Sequence, residues 1–280
     1  MKAVGFIGLG QIGAPMAERL LGWPDGLIVH DVRPDAAAPF VERGAEAVSS
    51  VLDVGARCSV VCVMVLDDRQ VRSVVTDLLG TARPGTVILV HSTIRPETAE
   101  ELARTATSAG VHVLDAPVSG GFVGAHQGSL AVMVGGEREG YELAKPVLER
   151  FAAVIVHMGL AGAGTRTKLA RNLLHFVAFT GAAEAARLAE ASGLDLRKLA
   201  RVVRHSDSVT GGPGAIMLRD STAPIEPGDD WHDVMSHTRD LGEKDLRLAL
   251  ELADRLGLDL PLARQALADL AAGLGVPHDR

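Results

Sequence analysis

Ala3-Val4-Gly5-Phe6-Ile7-Gly8-Leu9-Gly10-Gln11-Ile12-Gly13 is the stretch that decides the fold. An apolar, strand-like run ends in G-x-G-x-x-G, and Ala14 to Leu21 then continues with helical character. A strand before the glycines and a helix after them turn a weak motif into a dinucleotide-binding signature. Gly8 permits the tight turn, Gly10 lets the backbone approach a pyrophosphate, and Gly13 allows close helix–strand packing. Leu9, Gln11 and Ile12 complete the loop, whose free N–H groups and helix dipole favour a phosphate. Asp31 follows the next apolar run, Leu27–His30, 18 residues past Gly13. A carboxylate there accepts the ribose hydroxyls and repels a 2′-phosphate, which favours NAD. Arg33, two residues on, is suited to pair with that phosphate, so NADP stays open.

Outward from this signature, short apolar runs alternate with amphipathic segments. Strands are expected at Ala3–Ile7, Leu27–His30, Cys58–Val65, Thr86–Val90, Val111–Leu114, Leu130–Val134 and Val154–Val156. Helical stretches lie between them at Pro15–Leu21, Asp68–Leu79 and Pro96–Ala109. Nearly continuous Val and Ile point to strands buried on both faces of a mostly parallel sheet, hence a Rossmann-type, doubly wound α/β domain. After Val156 the strands stop. Thr165–Ser192 runs long with only Gly181 as an interruption, and Asp195–His205, Asp233–Leu256 and Pro261–Leu274 read as further helices. The expected organisation is a dinucleotide-binding domain over 1–163 and an all-α substrate and oligomerisation domain over 164–280, joined by the long helix.

The 280 residues are 47% hydrophobic and carry a net charge of −7. No long basic run occurs, which argues against nucleic acid as partner. The longest apolar stretch, Cys58–Leu66, is far short of the ~20 residues of a membrane-spanning helix. The N-terminal apolar run is broken by glycines and lacks a cleavage pattern, so a signal peptide is not expected. Cys58 and Cys62 share one strand, about 13 Å apart at ~3.3 Å per residue. That exceeds disulfide reach, and both read as small buried hydrophobes in a reducing cytoplasm. His232 and His237 with Asp233 lack the pattern of a metal motif, and no metal is expected.

Three further motifs follow the first in order. They are Asp115-Ala116-Pro117-Val118-Ser119-Gly120-Gly121 with Gly124-Ala125, Gly128-Ser129-Leu130 and Met133-Val134-Gly135-Gly136; Gly162-Ala163-Gly164 with Lys168 and Asn172; and Lys244-Asp245-Leu246 with Leu248-Ala249. With these the chain resembles, over nearly its whole length, the β-hydroxyacid dehydrogenase family, which includes 3-hydroxyisobutyrate dehydrogenase, tartronate semialdehyde reductase and, more distantly, 6-phosphogluconate dehydrogenase. The resemblance implies a nicotinamide-dependent oxidoreductase of small 3-hydroxy acids or their semialdehydes, assembled as a homodimer or homotetramer through the helical domain. It implies Lys168 as catalytic acid/base, with Asn172 one turn away holding the substrate oxygen. It implies substrate carboxylate binding by Ser119, Gly120 and Gly121. Leu66, Thr93 and Lys244 fall beside the cofactor.

The chemistry suits these residues. Oxidising an alcohol needs a base whose pKa approaches the working pH. A lysine reaches that range through desolvation and a neighbouring positive charge, for which Lys244 is the candidate. Only five lysines occur against 23 arginines, and two of the five stand at motif positions. A guanidinium does not deprotonate in this range, so a titratable role explains the choice. Lys168, Asn172, His175 and Phe179 are spaced 4, 3 and 4 apart and share one helix face, which makes His175 a further ligand contact. Ser119 has no nucleophile-elbow context, so acyl transfer is rejected. The chain departs from the family at Arg171, where a second asparagine is common, and at His91, where an acidic residue is common. His237 is the nearest ring where the family has an aromatic before Lys244, and it joins the substrate-binding candidates. Two other readings stand beside the main one: an imine reductase of the same fold, against which Lys168 speaks, and a non-catalytic dinucleotide-binding scaffold.

Overall fold

The structure is a computed structural model that describes residues 3–219 and 221–278. It divides into two compact units, one ending at Arg171 and the other beginning at Asn172.

In the first unit the strands are β1 (Ala3–Ile7), β2 (Leu27–His30), β3 (Glu46–Ala47), β4 (Cys58–Val63), β5 (Val87–Val90), β6 (His112–Asp115), β7 (Val118–Ser119), β8 (Leu130–Gly135) and β9 (Ala152–Gly159). They form one sheet in the order β3-β2-β1-β4-β5-β6-β8-β7, with β9 on β8. β1 to β6 pair in parallel, β8 runs antiparallel to β6 and β7, and β9 is parallel to β8. Alternate side chains feed two cores. Val4, Phe6, Val29, Cys62, Val87 and Leu89 enter one, and Ile7, Ile28, Val61, Val63, Ile88 and Val90 the other. Burial on both faces is why these strands read as unbroken apolar runs. Each fully buried side chain of this size contributes about 1.5–3 kcal/mol of transfer free energy.

The helices of this unit are α1 (Gly13–Glu18), α2 (Ala38–Val41), α3 (Val51–Arg57), α4 (Asp68–Leu79), α5 (Pro96–Thr107), α6 (Gly121–Gln127), α7 (Arg138–Leu148) and the first turns of α8 (Ala163–Ala191). α4 shows the local logic. Asp67 caps it by accepting the Gln70 N–H at 2.8 Å, and Val71, Val75 and Leu78 form its buried stripe. From β1 the chain winds out through β2 and β3 on one side, and through β4, β5 and β6 on the other. The crevice at the carboxyl ends of β1 and β4 is therefore the topological switch point.

The expected strands appear within one to three residues of their bounds. α1 stops at Glu18, short of the expected Leu21, where the chain passes into turns. β3 and β7, two residues each, are too short to show a period. Cys58 and Cys62 are both free and buried, and burial pushes the Cys58 thiol up to about 12.

In the second unit the rest of α8 is followed by α9 (Leu196–Thr210), α10 (His232–Arg255) and α11 (Pro261–Gly273). Glu184 on α8 accepts the Leu262 and Ala263 N–H groups, both at 2.9 Å, and so caps α11. The core is small: Ile225, Met235, Leu274 and Val276. α9 buries none of its side chains. Among the described residues, no helix is long and apolar enough to cross a membrane.

Candidate active site

The glycine loop opens onto a cavity of about 630 Å3 at the carboxyl ends of β1, β2 and β4. Gly8, Gly10, Gln11, Ile12, Gly13, Asp31, Arg33 and Leu66 all line it. Gly8 has φ +95°, and a Cβ there would overlap the Met64 carbonyl; one at Gly13 would overlap the Gly8 carbonyl. Gly10 differs, since a Cβ would meet nothing within 4 Å. Two glycines thus close the loop against the sheet, and the third leaves bare backbone facing open volume. Leu9 is buried, and its N–H donates to Asp31 Oδ2 at 2.7 Å.

The other Asp31 oxygen accepts the Arg33 N–H at 2.8 Å, with Arg33 Nε 3.5 Å away. Burial pushes the Asp31 carboxyl up, but the Arg33 and Leu9 amides and the Arg33 charge outweigh it and hold it below the usual range. Asp31 is therefore ionised at neutral pH, and each oxygen keeps a further lone pair for a hydroxyl donor. The Arg33 side chain is 63% exposed at the rim. Bare loop backbone over open volume, a fixed carboxylate at the edge and the apolar walls of Val65, Leu66 and Val74 fit a dinucleotide.

Two loops of this edge are clamped together by Ser92. Its hydroxyl donates to the Val65 carbonyl at 2.7 Å and accepts the Val65 N–H at 2.9 Å. Thr93 follows, exposed after β5, and is not among the cavity-lining residues. His91 is fully buried, its Nδ1 2.8 Å from the Ala116 carbonyl, and burial lowers its pKa to about 4. It is a neutral ring, edge-on to Phe151.

Farther along the same edge, Lys168 lies half-buried on α8. Its Nζ donates to the Val118 carbonyl at 2.6 Å. Burial, and then the nearby Arg171 guanidinium, lower its pKa below the ordinary lysine value. Val118 leads directly into Ser119, which is half-buried, and Gly120 and Gly121, which are exposed with φ of +130° and +61°. The Gly120 and Gly121 backbone turns the chain into α6.

The remaining candidates belong to the second unit. Asn172 and His175 lie on α8, and the His175 ring is 4.2 Å from that of Phe179, in keeping with one shared face. His237 and Lys244 are exposed on α10, and Lys244 pairs with Asp245 at 3.1 Å.

Residues 3–159 match the family model described as the NAD binding domain of 6-phosphogluconate dehydrogenase. Residues 162–277 match that of the NAD-binding domain of NADP-dependent 3-hydroxyisobutyrate dehydrogenase. The chain belongs to the β-hydroxyacid dehydrogenase family. This NAD-binding dehydrogenase is 56% identical to an uncharacterized oxidoreductase of Mycobacterium tuberculosis, over 98% of this chain and 94% of that one. A crystal structure of a putative oxidoreductase from Mycobacterium avium superposes with a TM-score of 0.95 at 54% identity, covering 99% and 100% of the two chains. The M. tuberculosis 3-hydroxyisobutyrate dehydrogenase solved with L-serine has 34% identity and a TM-score of 0.68, over 99% and 96%.

Several residues that shape this dehydrogenase's site carried no assigned role in the sequence reading. Ser92 precedes Thr93 without a side-chain pattern of its own, and Asp115 is only the first letter of its motif. Val118 acts through its backbone, which no side-chain pattern reveals. Arg171 was readable as the charged neighbour of Lys168, being three residues along one helix.

Proposed function

We propose that this dehydrogenase interconverts a small 3-hydroxy acid and its semialdehyde with a nicotinamide dinucleotide, using Lys168 as general acid/base. The observation that carries the reading is the half-buried Lys168 amine beside the Val118 carbonyl, immediately before Ser119-Gly120-Gly121. A bound nicotinamide dinucleotide supplies the two-electron acceptor or donor. Gly8, Leu9, Gly10, Gln11, Ile12 and Gly13 hold its pyrophosphate, Asp31 its ribose, Leu66 and Thr93 lie beside it, and Lys244 is a further cofactor-binding candidate.

A neutral amine has two N–H groups and a lone pair. The Val118 carbonyl takes one N–H and fixes the nitrogen, leaving the lone pair to accept the substrate hydroxyl proton. In the reverse direction the protonated amine returns it to the carbonyl oxygen. The lowered pKa of Lys168 keeps both forms accessible nearer neutrality, as acid–base work requires. Asn172 holds the substrate oxygen, Ser119, Gly120 and Gly121 take the carboxylate, and His175 and His237 bound the variable part. Asp31 favours NAD, since its charge repels a 2′-phosphate. The helical part leaves Leu173, Phe176, Phe179, Val202 and Val209 exposed, and a second copy of the chain covers them.

The test is turnover of 3-hydroxyisobutyrate, L-serine, glycerate, 4-hydroxybutyrate and 3-hydroxypropionate with NAD and NADP, for the natural chain and Lys168→Ala. At least one hydroxy acid is oxidised, faster with NAD. The variant loses about 10²–10⁴ in kcat while NADH affinity holds. Near-normal turnover of the variant rejects the assignment.

A further inference from the structure

We propose that Asp115 is the positioning residue for Lys168: its carboxylate seats the start of α8 so that the amine meets the Val118 carbonyl. The proposal rests on the reading of Lys168 as acid/base. Asp115 ends β6 and is almost wholly buried. Its Oδ1 accepts the Gly162 N–H at 2.8 Å and its Oδ2 the Thr165 N–H at 2.6 Å. These amides belong to the turn that opens α8, where backbone donors have no partner within the helix. Burial raises the Asp115 carboxyl above its usual range, against the pull of the two amides. A buried side chain that accepts two amides of one turn ties that turn to the end of β6.

The second grip lies one turn along. Lys168 follows Thr165 by three residues, and Val118 follows Asp115 by three. The β6–β7 segment therefore holds the first turns of α8 at two places, by Asp115 on the helix start and by Val118 on the amine. Close fit around the same contact leaves little play. A Cβ at Gly164 would overlap the Met133 and Asp115 carbonyls, and one at Gly135 would overlap the Asp115 carboxylate. The helix can sit this close only because both positions are glycine. Asp115 and Gly135 of the second motif and Gly162 and Gly164 of the third are thus one mechanical unit, whose output is the position of a single nitrogen. Asp115 does not line the dinucleotide cavity, so the two functions separate.

The experiment compares Asp115→Asn with the natural chain and with Lys168→Ala, using NADH fluorescence titration and turnover of 3-hydroxyisobutyrate, or of L-serine where that is faster. Asparagine keeps the shape but offers one acceptor oxygen in place of two, so one amide of the α8 turn loses its partner. The expected result is kcat at least tenfold lower per NADH-binding site, with KM and the NADH Kd within threefold. A smaller loss of kcat, even with a lowered melting temperature, overturns the proposal, since the carboxylate would then serve stability alone. Should Asp115→Asn not bind NADH, Asp115→Glu is judged by the same criteria, because it keeps both acceptors on a longer arm. Loss of NADH binding there too also overturns it. If Lys168→Ala is inactive while Asp115→Asn turns over normally, only this proposal falls; if Lys168→Ala turns over normally, the acid/base reading falls and this proposal with it.

Discussion

Gly10 and Gly13 separate two reasons for a glycine, and alanine at each tests which reason holds. At Gly13 a Cβ would overlap the Gly8 carbonyl oxygen and touch Phe6. The obstacle is backbone, so restoring an ordinary 3.4 Å contact moves α1 or the loop by more than 1 Å. Overpacking of this kind costs about 1–3 kcal/mol, or roughly 2–4 °C of melting temperature per kcal/mol for a unit of this size. Moving the loop also moves the amides that face the cavity. Gly13→Ala is therefore expected to melt several degrees lower and to bind NADH at least tenfold more weakly. At Gly10 the Cβ meets nothing within 4 Å, and the backbone has no positive φ. Gly10→Ala leaves stability unchanged or raises it by about 0.4–1 kcal/mol, through the unfolded chain. Its methyl group nevertheless occupies the volume over the loop, and NADH binding weakens at least tenfold, about 1.4 kcal/mol. Calorimetric melting and fluorescence titration read both effects. Natural affinity for both NADH and NADPH in Gly10→Ala would refute the placement of the pyrophosphate over Gly10.

Two other outcomes follow from the same edge of the sheet. Folding lowers the Lys168 pKa, so between its folded and unfolded values the unfolded chain binds more protons and stability rises with pH; relative to Lys168→Met, the natural chain gains stability as pH climbs through that window toward ~10.4. A pH-independent difference in denaturation midpoint between the two contradicts this. Ser92→Ala leaves the Val65 N–H and carbonyl without their partner, costing about 1–3 kcal/mol, and loosens the cavity wall. A melting temperature and NADH Kd equal to those of the natural chain would show that the clamp is idle.

Much of the first unit was legible because its physics is one-dimensional. A strand buried on both faces announces itself as an apolar run, and Asp68–Leu79 announces its helix by capping and by Val71, Val75 and Leu78. What escaped was structure whose cause lies elsewhere in the chain. Glu46–Ala47 is a strand because Ile28 and Val29 lie beside it, not because of its own composition. Arg138–Leu148 is a helix despite Pro146 near its end, packed through Tyr141, Ala144 and Val147. α9 shows the reverse: a clean helical pattern with an Asp195 cap and no buried side chain, so its periodicity says where a face is without saying what covers it.

The site divides along the same line. Residues proposed to meet a ligand through their own chemistry, such as Asp31 and the loop glycines, can be named from type and spacing, and they line one cavity. Residues that act on other residues could not. The charged neighbour that lowers the Lys168 pKa is Arg171, whose three-residue spacing along α8 is legible but whose position otherwise reads as a departure from the family. Arg171 is exposed, so water screens its charge, and burial is the larger cause. That ordering matters for the chemistry. A pKa set by burial depends on how deeply the amine is held, and depth is geometry. The Val118 carbonyl and the seat of α8 fix that geometry, and neither has a side-chain signature at position 168. The spacing of the motifs is thus the record of a fit between a strand end and a helix start, which becomes readable only when both are in place.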